Sequence, residues 1–72
     1  MEGSIVMTYI GIITHLNGNT GSTTIYLKAL GKAIDLNYQD YPKDFIPHQG
    51  MLVVLEQDRN GSWRLLEGID HG

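Results

Sequence analysis

Hydrophobic and polar positions along this chain alternate in short runs. Breaks bearing glycine, asparagine or proline separate them. The run from Ile5 to Leu16 is rich in β-branched and aromatic residues, among them Ile5, Val6, Thr8, Tyr9, Ile10, Ile12, Ile13 and Thr14. That composition favours an extended strand. From Thr23 to Leu30, Ile25, Leu27 and Ala29 alternate with Thr24, Tyr26 and Lys28. From Lys32 to Tyr38, Ile34, Leu36 and Tyr38 alternate with Ala33, Asp35 and Asn37. A period of two sends one set of side chains into a core and the other away from it. Met51 to Gln57 is apolar on both faces until Glu56, which predicts a central strand covered on both sides. Ser62 to Ile69 closes the set through Trp63, Leu65 and Leu66. No segment keeps helical periodicity beyond one turn, so the pattern predicts five β-strands.

The breaks set the connections. Asn17-Gly18-Asn19-Thr20-Gly21-Ser22, Leu30-Gly31-Lys32 and Asp58-Arg59-Asn60-Gly61-Ser62 are short and polar. Asn-Gly suits the positive φ angles of tight hairpins. Gln39 to Gly50 is longer and holds both prolines, Pro42 and Pro47. Pro42 is placed to open one short helical turn, with Phe45 and Ile46 then capping the end of the core. Gly11, inside the first run, marks either a bend that lets one long strand pair on both sides or a site of close packing. Five antiparallel strands whose longest connection joins the third to the fourth match the OB-fold, an all-β, five-stranded Greek-key barrel. An SH3-like barrel, with its long loop early, is the alternative. Residues 1–72 read as one small domain. Residues 1–6 are an extension if Met7 is the start, and 70–72 a frayed tail.

Composition narrows the function. A chain of 72 residues buries only ~60% of its unfolded surface, and 42% hydrophobic residues supply one compact core. With no cysteine, disulfides, thiolate chemistry and cysteine-based zinc sites are excluded. The longest apolar run, Met51 to Leu55, is far short of the ~20 residues of a spanning helix. No signal-peptide pattern opens the chain, so a cytoplasmic location and no membrane partner are expected. The net charge of −3 weighs against a strong polyanion binder but permits a local basic patch.

No catalytic set converges. Ser4, Ser22 and Ser62 sit at a terminus or in turns, and none lies in a nucleophile elbow. His15, His48 and His71 are too widely spaced for a metal site, and no cofactor is expected. Gly18-Asn19-Thr20-Gly21-Ser22 lacks the lysine and following helix of a phosphate-binding loop. A non-enzymatic binding module remains, with single-stranded nucleic acid, RNA or DNA, as its leading ligand. Tyr26 is the expected stacking platform, because Ile25 and Leu27 point inward; a stacked base contributes ~1–3 kcal/mol. Lys28 and Lys32 share its hairpin and would meet phosphates. Arg59 and Arg64 would form the second wall. Trp63 is either a second platform or, as the only tryptophan of a small barrel, a core residue.

The alternative is a protein-interaction or self-associating module. Tyr9 and Ile13 share one face of the first strand, and Ile10 and Ile12 the other. Leu52 and Val54 likewise oppose Met51, Val53 and Leu55. Unless the strands curl tightly, one of these sets leaves the core and forms an interface. A homodimer through an edge strand would also protect that edge. Salt separates the two readings, since phosphate binding weakens steeply with ionic strength.

Two segments carry a family resemblance. Tyr9-Ile10-Gly11-Ile12-Ile13 resembles the glycine-bearing first strand of the small OB-fold RNA binders, bacterial translation initiation factor one and the cold-shock proteins. Ile46-Pro47-His48-Gln49-Gly50-Met51-Leu52-Val53-Val54-Leu55-Glu56 is similar to their fourth strand, a turn and glycine followed by alternating valines and a glutamate. The spacing between the two is also similar. The resemblance implies an OB fold and single-stranded nucleic-acid binding on the second and third strands. Where cold-shock proteins cluster aromatic and basic residues there, this chain offers Tyr26 and Lys28, with Asp35 opposing.

Overall fold

The structure, a computed structural model, describes residues 6–69, with the backbone alone of Tyr38. Ser4, His71, the start of the first run at Ile5 and the extension and tail expected at the two ends lie wholly or mainly outside the described residues. All five runs are strands: β1 (Met7–Asn17), β2 (Ser22–Leu27), β3 (Lys32–Asn37), β4 (Leu52–Gln57) and β5 (Trp63–Ile69). They form one antiparallel sheet in the order β3-β2-β1-β4-β5. β4 returns over the long connection to lie beside β1, the 4-1-2-3 order of a Greek key. Among the described residues no ladder joins β3 to β5, so the sheet is open and these are its edges.

β1 is long because it serves two partners. Met7 to Ile12 pair with β4, and Ile12 to Asn17 pair with β2. Gly11 sits at the handover. A Cβ there would lie 2.5 Å from Ile25 Cγ2 and 3.0 Å from Leu27 Cδ2. Gly11 is therefore a close-packing glycine. The irregularity in β1 falls further along, between Ile13 and His15.

The core is one face of this sheet. Ile13, Ile25, Leu27, Leu36, Val53, Leu55 and Leu65 are buried, with Tyr9, Ile34, Tyr41, Phe45, Met51 and Trp63 packed around them. The connection from β3 to β4 plugs its end. Tyr41 donates its hydroxyl to the buried Thr23 Oγ1 at 2.6 Å, and the Leu36 carbonyl oxygen is a further acceptor at 3.3 Å. Burial pushes the Tyr41 hydroxyl above its ordinary pKa; the Thr23 bond opposes this and Asp40 adds to it. Tyr41 meets Phe45 edge-on at 5.4 Å. Phe45 and Met51 then lie over Gly68, where a Cβ would stand 2.9 Å from each.

Four expectations are corrected. β2 stops at Leu27, not Leu30, because the Leu27 carbonyl accepts from the amides of Leu30 and Gly31 at 3.1 and 2.8 Å and turns the chain. Ala29 is consequently exposed in that turn. The single helical turn is a 3₁₀ turn at Tyr38–Asp40, ahead of Pro42, where the chain folds back to anchor Tyr41. Pro42 opens only a tight turn, its carbonyl accepting from Phe45. Phe45 caps the core as expected, but Ile46 is 69% exposed. Finally, β4 is central but covered on one face only. Val53 and Leu55 are buried, whereas Leu52 and Val54 stand half-buried on the other side.

Candidate binding face

Strand alternation delivers a second set of side chains to the face away from the core. The register arranges them in rows. Ala33, Tyr26, Ile12, Leu52 and Ile69 are successive cross-strand neighbours from β3 to β5. The next row runs through Ile10, Val54 and Glu67. Lys28, one residue past the end of β2, stands beside this row and lines a depression with Ile10 and Tyr26. Ile10 is 57% exposed, Tyr26 40% and Ile12 36%. Polar rows bound this band along the strands. On one side Thr24 donates to Asp35 Oδ1 at 2.7 Å, with His15 beside it. On the other stand Thr8, Glu56 and Arg64.

The depression has a volume of about 390 Å³ and is lined by Ile10, Gly11, Ile12, Tyr26, Lys28 and Leu52. Gly11 contributes backbone to its floor, while the position of its missing Cβ faces the core. The sequence places its apolar walls on the non-core face of β1 and β4, but only the register brings Tyr26 and Ile69 into the same row. Glu67 reaches the face because β5 has one residue more than β4 between Leu65 and Glu67, leaving Leu66 unpaired. No sequence signal marks that bulge.

The residues expected to hold nucleic acid separate into two regions. Tyr26 points outward, and Lys28 shares its depression. Lys32 is exposed at the start of β3, opposite Leu27. Arg59 is exposed in the Asp58–Ser62 turn, where Asp58 Oδ1 accepts from the amides of Asn60 and Ser62 at 2.9 and 3.0 Å. Arg64 is exposed on β5, opposite Glu56. Trp63 is half-buried against the core, its ring 5.3 Å from that of Tyr9. Trp63 and Arg64 line a groove of about 550 Å³ together with Asp40, Tyr41, Glu56 and Asp58. There the carboxylates outnumber the single cation. β1 and β4 separate β2 from β5, a span of ~14 Å at the usual strand spacing.

Ser22 and Ser62 serve turns: Ser22 Oγ lies 2.8 Å from Thr20 Oγ1, and the Ser62 amide donates to Asp58. Among the described residues no three histidine or carboxylate side chains gather to hold a metal ion. No protein-family model, curated protein or solved structure matches the chain.

Proposed function

We propose that this protein is a non-enzymatic binding module of the OB type that docks on protein through the outer face of its sheet. Three features favour the OB type: the Greek-key order, the long connection between β3 and β4, and edges that would join β3 to β5 on closure. The OB-fold is itself a partly open barrel. An SH3-like barrel would place its long loop between its first long strands.

One observation carries the docking reading. Two adjacent cross-strand rows on the face away from the core are apolar except for Lys28 and Glu67 at the ends of the second, where a solvated face would be polar throughout. Each square ångström of apolar surface covered is worth about 25 cal/mol, so exposed Ile10, Ile12 and Tyr26 give a partner a reason to stay. Charge weighs toward protein docking over polyanion binding. The net charge is −3, and Arg64 faces Glu56.

A second reading has its own observation. Tyr26 and Lys28 share one depression, and a stacked base with a phosphate on the lysine suits that pair. Titration with a labelled mixed-sequence single strand separates the two. The docking reading expects no complex at moderate salt. A complex that dissociates as salt rises, and that Tyr26→Ala weakens, would replace it with nucleic-acid binding.

A further inference from the structure

We infer that the occupant of this face is a second copy of the same chain, packed face to face about a two-fold axis. The inference rests on the docking reading above and names its partner. The axis runs along the strands, between β1 and β4.

The map of the face is self-complementary about that line. A two-fold there lays β1 over the partner's β4 and β2 over the partner's β5, and keeps each row opposite itself. Ile12 then meets the partner's Leu52, and Ile10 the partner's Val54. Tyr26 meets the partner's Ile69. At the end of the second row, Lys28 meets the partner's Glu67. Apart from Ala33 on the edge strand β3, every apolar residue of the two rows finds an apolar one, and the two row-end charges find opposite charges, twice per dimer. A two-fold across the strands would instead lay Glu67 over the partner's Ile69, with no cation to neutralise it. The polar rows with Thr24, Asp35, Glu56 and Arg64 then form the rim, as at other interfaces. Two sheets with aligned strands pack in this way about 10 Å apart.

The patch is small beside the ~20–30 residues a side of a standard interface, so the dimer is weak and dissociates in the micromolar range. Each exposed ion pair contributes little, but reversing one charge turns two attractions into two repulsions.

The test is light scattering coupled to size exclusion on the full chain, over micromolar to millimolar concentration. The mass should climb with concentration toward twice that of the monomer. K28E should raise the dissociation constant about tenfold, and E67K likewise. The double variant K28E/E67K should recover to within about threefold of the parent, because the pair is restored with its signs exchanged. I10K should leave a monomer throughout; Ile10 is outside the core, so circular dichroism should show an intact fold. A parent that stays monomeric, or a dimer indifferent to both K28E and I10K, overturns the inference. Binding of anilinonaphthalene sulfonate by the same samples separates that failure from failure of the docking reading. A monomer whose dye binding is lost in I10K keeps an apolar docking face for another partner. A monomer with no such difference removes both.

Discussion

Gly11→Ala should destabilise this protein by roughly 2–3 kcal/mol, the upper part of the range for overpacking a core. The added methyl would stand 2.5 Å from Ile25 Cγ2, 3.0 Å from Leu27 Cδ2 and 3.1 Å from the Tyr26 carbonyl oxygen. The first distance is about 1 Å short of a relaxed carbon–carbon contact. Ile25 is fully buried and β-branched, so it has no free rotamer to escape into. The Tyr26 carbonyl belongs to β2 and cannot yield without shifting that strand. Urea unfolding followed by the fluorescence of Trp63 reads the effect directly. Small domains hold at the low end of 5–15 kcal/mol, so the loss should remove about half the stability. Gly18→Ala is the control: a Cβ there meets nothing within 4 Å, and its cost should stay within about 0.5 kcal/mol. A Gly11→Ala loss no larger than the control's would refute the close-packing account of β1.

Three further outcomes follow from the geometry. Tyr41→Phe should cost about 1–2 kcal/mol in the same unfolding assay, because the buried Thr23 hydroxyl loses its partner. The Tyr41 pKa is raised in the folded state, so its contribution is intact below the ordinary tyrosine pKa and is lost as pH rises through the folded one. Stability curves of parent and Tyr41→Phe should therefore converge at alkaline pH, and parallel curves would contradict the assignment. Asp58→Ala should cost about 1 kcal/mol by freeing the Asn60 and Ser62 amides, with proteolysis at the Asp58–Ser62 turn rising in step. Gly31→Ala, at φ 64°, should cost about 1 kcal/mol although a Cβ there meets nothing, which calorimetry can check against Gly18→Ala.

Much of the fold was legible because its strands are short and most alternate strictly. Ile25 and Leu27 on β2, like Val53 and Leu55 on β4, fall on one face by their spacing of two, and turn residues such as Gly31 and Gly61 mark where a strand ends. Periodicity failed where tertiary contacts decide. The alternation through Ala29 continues past Leu27, yet backbone bonds to the Leu27 carbonyl end the strand first. Pro42 suits a helix start locally, but Tyr41's bond to Thr23 moves the turn upstream. Ile46 follows the capping Phe45 and has no place left in the core. The candidate face was half legible. That Ile10 and Ile12 oppose Tyr9 and Ile13 is plain from spacing of two. Which residues neighbour them across the sheet depends on register, and Glu67 depends on a bulge that alternation does not encode. The separation of Tyr26 and Lys28 from Trp63 and Arg64 is likewise a matter of strand order, invisible along the chain.

On this proposal the outer sheet face, not the Trp63 groove, is where the protein meets a partner. A dilution series of the ¹⁵N-labelled full chain by NMR tests it most directly. Concentration-dependent shifts should be confined to this face, at Ile10, Ile12, Tyr26, Lys28, Leu52, Val54, Glu67 and Ile69, with Asp40, Asp58 and Trp63 still. Shifts centred on Trp63 and Arg64, or spectra that do not change with concentration and respond only to added oligonucleotide, would contradict it.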